Sequence, residues 1–257
     1  YYRMNTLFKF YIQVWVMLGL AGAVLVVQVW ERALRWRRAG RAVAWQALLT
    51  CLVAASLVYP LLGTRTRVTD RFDDPPPIGT LDGMAYMTTG TLVWPQDNPI
   101  RLRDDYTAIR WLQENVVGTP VLAEAKIGYY REGGMRVASY TGLPMPLGGL
   151  HQSEQRWPDQ IGQRDGVYME FWNTADPERA WALIHELGIR YIYIGQLERT
   201  LYDPARAATL REWGVTHFDP AGYAKFEALL AQGRLEVAYE NERTRIYRVR
   251  GRGQALP

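Results

Sequence analysis

Cysteine is nearly absent from this 257-residue chain, with Cys51 standing alone inside an apolar run. The rest of the sequence is therefore built without disulfides and without thiolate metal ligands. An oxidising compartment tolerates that absence, because it permits disulfides without requiring them. Histidine is scarce as well: His151, His185 and His217 are the whole set, and their spacing does not suit a zinc site. His185 falls in a helical stretch and reads as a surface or packing residue. No His-Glu-x-x-His, aspartate-rich cation loop, glycine-rich phosphate loop or Gly-x-Ser-x-Gly elbow occurs. No metal ligand set and no cofactor is expected from these residues.

Charge is missing from two further places, and those gaps organise the chain. Phe10 to Trp30 and Ala42 to Leu62 contain no acidic or basic side chain. Each run has 21 residues, and at about 1.5 Å per helical residue it spans roughly 30 Å, the thickness of a bilayer's hydrocarbon core. Between them lies Glu31 to Arg41, with five arginines against one glutamate. Short basic loops stay on the cytoplasmic side. The chain is thus expected to cross inward and back outward, leaving everything after Gly63 outside the cytoplasm, in an integral protein of the cell membrane.

The net charge of +4 invites a nucleic-acid reading, and its placement argues against one. Residues 1–63 carry a net charge of +6, whereas the remainder carries −2. A nucleic-acid binder clusters its excess positive charge on the domain that meets phosphates. Here the excess sits at the hairpin, where membrane topology accounts for it. The opening Tyr1-Tyr2-Arg3-Met4 has no signal-peptide pattern, and the chain reads as a piece of a longer polytopic protein. Gln13, Gln28 and Gln46 are amides that lipid does not satisfy, so further membrane helices are expected beside them. Gly19, Ala21, Gly22 and Ala23 form a small-residue patch suited to close helix contact.

Four segments follow: a hairpin over 1–63, an irregular lead-in over 64–103, an α/β domain over 104–250 and a tail over 251–257. Asp73-Asp74-Pro75-Pro76-Pro77 in the lead-in is incompatible with helix interior. Thr80 to Met87 reads as a turn followed by a short helix or strand. From Asp104, the residues Ile109, Leu112 and Val116 recur on one helical face, and Val121 to Ala125 reads as a buried strand. Met135 to Tyr140 is a second strand candidate. Asp176-Pro177, Asp203-Pro204 and Asp219-Pro220 repeat a helix start, with aspartate as cap and proline at the first helical position. Ile189 to Gly195 reads as a strand. Leu235 to Tyr239 and Thr244 to Val249 read as a hairpin. The order predicts an α/β sandwich with a mixed sheet that is partly parallel and ends in an antiparallel edge.

Three regions carry candidate binding residues. Arg3 and Lys9 stand at the outer mouth of the first apolar helix, suited either to a lipid-linked phosphate or to snorkelling onto headgroups. The loop from Thr141 to Trp157 brings His151, Glu154 and Arg156 close to a tryptophan, a set suited to sugar or phosphate recognition or to tying the domain to the membrane portion. Glu198 and Arg199 follow a strand, where α/β sheets bind ligands, and Glu124 ends the other strand of the same crevice. Glu198 and Arg199 read first as an ion pair between neighbours.

Arg3-Met4-Asn5-Thr6-Leu7-Phe8-Lys9-Phe10-Tyr11 resembles a segment of the YYY-type polytopic membrane proteins. Leu81 to Met87, Thr141-Gly142-Leu143-Pro144 and Tyr191 to Gly195 with Glu198-Arg199 continue the resemblance in family order over nearly the whole chain, as the family's C-terminal part. The chain departs from the pattern at His151-Gln152-Ser153-Glu154-Gln155-Arg156, where the family order is His-Glu-x-Gln-Trp-Arg. The family's layout is similar to C-type glycosyltransferases, which use polyprenyl-phosphate sugars and a catalytic aspartate in an early external loop. The resemblance thus implies a lipid-linked sugar donor, with the reacting groups upstream of Tyr1 and an inactive fragment here. A non-catalytic glycan- or protein-binding module is the alternative.

Overall fold

A computed structural model describes residues 4–35, 39–70, 77, 79–94, 97–127, 135–148, 152–153 and 156–251. Two compact units are present, Tyr1–Arg71 and Phe72–Pro257. The first holds α1 (Met4–Leu34) and α2 (Ala39–Val58), the latter continuing through one wide turn into α3 (Thr64–Thr69). The stretches Thr6–Leu34 and Gly40–Thr69, of 29 and 30 residues, are long and apolar enough to cross a membrane. Their large side chains, Trp15, Met17, Leu20 and Leu52 among them, face outward. Ala33 near the end of α1 and Ala42 near the start of α2 are buried. Among the described residues no neighbouring atom lies within 4 Å of a Cβ built at Gly19 or Gly22, so the patch from Gly19 to Ala23 is not packed on α2 at those two positions.

The second unit is a mixed α/β fold. Its four-stranded sheet runs β3-β4-β6-β5, from β3 (Val121–Ala123), β4 (Ile189–Ile194), β5 (Leu235–Glu240) and β6 (Arg245–Val249). β3 and β4 are parallel, pairing Leu122 with Tyr191 and Ala123 with Ile192. β6 is antiparallel to both β4 and β5. Successive side chains of a strand point to opposite faces, and β4 uses both. Ile192 and Ile194 join a core with Phe171, Trp172, Leu183, Ile184, Phe226 and Leu229 from α6 (Pro158–Asn173), α7 (Pro177–Glu186) and α10 (Ala224–Ala231). Tyr193 turns the other way, to Ile109 and Leu112 of α4 (Leu102–Asn115) and Val137 of α5 (Arg136–Thr141). Helices therefore cover both faces, and β4 sits between them.

Each Asp-Pro start works as the sequence predicts. Asp176, Asp203 and Asp219 accept a hydrogen bond at 2.9 Å from the backbone N–H of Glu178, Ala205 and Ala221, a cap worth about 1 kcal/mol. The second and third open tight turns, Pro204–Arg206 and Pro220–Tyr223, before α9 (Ala207–Glu212) and α10 begin. α8 (Gln196–Tyr202) occupies the end of β4.

Two expectations are corrected. Met135 to Tyr140 is no strand: Met135 turns through a left-handed φ of 57° and α5 follows. The lead-in over 64–103 is not irregular throughout. It contains α3, a 3-10 turn over Ala85–Thr88, and an antiparallel pair of β1 (Thr91–Val93) and β2 (Pro99–Arg101). Trp94 and Ile100 from this pair are buried in the main core. The sequence reading also passed over α6, whose Tyr168, Phe171 and Trp172 are fully buried.

Lys225 places a cation in the main core. Lys225 is fully buried, and its ammonium donates to the carbonyls of Trp172 at 2.7 Å and Gly222 at 2.8 Å. It rests 4.5 Å from the centre of the Phe226 ring. Gly222 permits this approach, because a Cβ there meets the carbonyl oxygen of Asn173 at 2.7 Å. Burial pulls the Lys225 pKa down from 10.5 to about 7, against a weak opposing pull from Asp219. Between those two values the unfolded chain binds the proton and the folded one releases it, so stability rises with pH across that window. In denaturation titrations the unfolding free energy is expected to climb from pH 7 to 10, approaching about 1.4 kcal/mol per pH unit. Lys225→Met flattens that slope; an unchanged slope contradicts the assignment.

Candidate functional site

The crevice beyond the carboxyl ends of the parallel strands is where an open α/β sheet binds ligands. Glu124 immediately follows β3, and Glu198 lies in the first turn of α8 after β4. The structure brings these two carboxyls into one network, and both are fully buried. Between them stands Arg136, only 6% exposed. Its Nε donates to Asp105 Oδ2 at 2.9 Å, and its Nη2 donates to Glu198 Oε2 at 3.1 Å.

Each remaining acceptor in the network has a donor. Glu198 accepts from the N–H of Gly195 at 2.9 Å and of Ala125 at 3.1 Å. Glu124 accepts from the N–H of Val137 at 3.0 Å and of Ala138 at 2.7 Å, the opening turn of α5. The Tyr193 hydroxyl donates to Asp105, and the Tyr168 hydroxyl donates to the Glu124 carbonyl. Gly195 allows the cluster to close: a Cβ there lies 3.0 Å from both Arg136 Nη2 and Asp105 Oδ1.

Electrostatics follow from this enclosure. Burial opposes the Arg136 charge, yet Asp105 and Glu198 outweigh it and hold the guanidinium pKa well above its ordinary value. Burial raises the Glu124 carboxyl from 4.5 to about 7, although Arg136 and the two N–H donors pull the other way. Burial and the neighbouring Asp105 also push the Tyr193 phenol well up. A carboxyl near neutrality suits proton transfer; among the described residues the four charged side chains of this cluster are all buried. Its chemistry is internal, tying α4, α5 and α8 to the ends of β3 and β4.

The other candidates separate. Arg3, His151 and Glu154 lie outside the described residues. Lys9 is exposed on α1, and Arg156 is exposed on the bend before α6. The expected Glu198–Arg199 pair does not form: Glu198 turns inward to Arg136, and Arg199 is exposed. Asp105 and Arg136 were not foreseen, and Arg136 carries the network. Its only sequence signal is a charge amid Met135, Val137 and Ala138. Among the described residues of the second unit, open recesses are present. One, of about 430 Å³, is lined by Thr89, Thr91, Arg101, Arg103 and Glu242, with Arg101 bonded to Glu242 at 2.8 Å. Another, of about 370 Å³, includes Arg199.

Removing one partner of a buried ion network strands the others, typically at 3–5 kcal/mol. Arg136→Met is expected to lower the unfolding free energy by about that amount. Combining it with Asp105→Asn and Glu198→Gln recovers at least half of the loss, as read by urea denaturation. Equal losses in the single and triple variants contradict the network's role.

No family model and no curated protein sequence matches the chain. Among solved structures, it is similar to the C-terminal globular domain of an oligosaccharyltransferase from Archaeoglobus fulgidus. The two share 12% identity over 57% of this chain and 97% of that one, with a TM-score of 0.35.

Proposed function

We propose that the chain is the C-terminal portion of an integral membrane glycosyltransferase-like protein. In this reading α1 and α2 span the cell membrane and the α/β unit lies outside the cytoplasm. The observation that carries it is the pair of bilayer-length apolar helices joined by an arginine-rich loop and leading into an α/β unit. The loop sets the orientation, because guanidinium groups in a short connection stay on the cytoplasmic side.

The sealed cluster around Arg136 supports placing the reacting groups in other membrane segments of the same protein. Gln13 and Gln28 lie on the exposed side of α1, and an amide facing hydrocarbon lacks partners. Further helices of the parent chain would supply them. The donor in this reading is a sugar on a lipid-linked phosphate, with Arg3 and Lys9 holding the phosphate at the outer end of α1. His151, Glu154 and Arg156 would close over sugar or acceptor.

The open polar recess beside Arg101 and Arg103 favours a second reading, a non-catalytic anchored module that binds glycans or protein partners. Kinetics in the intact protein separate the two. Under the first, Arg3→Ala with Lys9→Ala raises KM for a polyprenyl-phosphate sugar about tenfold, or ~1.4 kcal/mol of lost binding, in a transfer assay with membranes. An unchanged KM removes both residues from donor binding.

A further inference from the structure

The second open recess lies between α8 and the turn Pro220–Tyr223, and is bordered by Arg199, Tyr202, Asp203, Pro220 and Tyr223. Its wall is cyclic and largely apolar. The rings of Tyr202 and Tyr223 meet edge to face, with centroids 5.3 Å apart and planes at 72°, and Pro220 adds a third ring. Tyr202 is anchored from behind, its hydroxyl donating to the carbonyl of Trp172 at 2.5 Å. Lys225, under the same floor, reaches the Tyr202 oxygen at 3.3 Å. Tyr223 is in addition held against Phe226 at 5.8 Å. The wall is therefore rigid without a ligand, which lowers the ordering cost of binding.

Polar groups on the rim are available. The inward turn of Glu198 leaves the Arg199 guanidinium with no ion-pair or hydrogen-bond partner among the described residues. The Tyr223 hydroxyl likewise has none among them. Asp203 spends one carboxylate oxygen on the N–H of Ala205 at 2.9 Å, while its main-chain carbonyl contacts His217 Nε2 at 3.0 Å. Both contacts fix its position. The recess thus offers a planar five-donor group and a carboxylate acceptor beside an aromatic wall.

We propose that this recess binds a neutral sugar unit of a glycan. A pyranose presents a C–H face and an equatorial belt of hydroxyls. The face packs on aromatic rings, while adjacent hydroxyls donate to a carboxylate and accept from a guanidinium. A volume of about 370 Å³ lies within the size range of small-molecule sites. Among the residues that line it, Arg199 and Asp203 carry one charge of each sign, so the recess has no net positive charge to draw an anion. A phosphate or sulfate therefore meets the Asp203 carboxylate beside the guanidinium, whereas a neutral polyol can use both groups. The proposal deepens the glycan-related reading and rests on it for the side of the membrane on which the recess meets its ligand. Its test is independent of that orientation.

The detergent-solubilised full chain is titrated with disaccharides of glucose, galactose, mannose and N-acetylglucosamine, followed by saturation-transfer NMR. Inorganic phosphate serves as the anionic control. At least one disaccharide is expected to bind with Kd of about 1 mM or tighter, transferring saturation through its ring C–H protons. Arg199→Ala, at an exposed position, weakens binding about tenfold with an unchanged melting temperature. Tyr223→Ala abolishes it, and Tyr223→Phe retains most of it. The proposal is overturned if none of the disaccharides binds. It is equally overturned if phosphate binds more tightly, or if Arg199→Ala leaves the affinity intact.

Discussion

Arg136 is the side chain on which the α/β unit closes. One guanidinium joins Asp105 from α4 to Glu198 from α8, while the turn it opens delivers two N–H groups to Glu124 at the end of β3. Removing four ionisable side chains from water is costly, and the cost is offset because nearly every donor and acceptor is matched. The network spans residues 105 to 198, so it forms only when the β3–β4 pair and both flanking helices are in place. Acidic residues at the ends of parallel strands are the usual place to look for chemistry in such a fold, and here they are consumed in holding the strands together.

Much of the architecture is legible locally, where a short-range device decides the outcome. The three Asp-Pro starts succeed because cap and helix lie two residues apart. β4 is legible because Ile192, Tyr193 and Ile194 form a continuous apolar run, which a strand covered on both faces requires. Met135 to Tyr140 misleads for a physical reason. Met135 and Val137 alternate with Arg136 as in a strand, but two successive N–H groups converge on one carboxylate only at a helix start. That demand comes from Glu124, which is remote in the fold's logic. In α6, Gly162 and Gly166 weaken the helical signal, although Ile161, Tyr168 and Trp172 keep its spacing.

The candidate site divides the same way. Glu124 and Glu198 are placed together by strand topology, which the sequence pattern conveys. Their shared partner is not conveyed, since nothing in the neighbourhood of Arg136 announces Asp105 or Glu198. The adjacent Glu198 and Arg199 look like a pair, yet consecutive helical residues point about 100° apart. One goes to the core and the other to the rim of an open recess. Sequence proximity therefore misassigns both, and the error hides the more accessible of the two.

In the proposed reading the α/β unit follows a membrane hairpin and lies at the outer face of the cell. That orientation decides whether the recess by Arg199 and the outer end of α1 can meet lipid-linked sugars at all. Its physical basis is the cost of carrying five arginines through hydrocarbon, set against the ease of passing two charge-free helices. A dual reporter fused after Pro257, alkaline phosphatase in one fusion and green fluorescent protein in the other, measures the outcome in intact cells. The account predicts high phosphatase activity and no fluorescence; a fluorescent, phosphatase-negative fusion contradicts it.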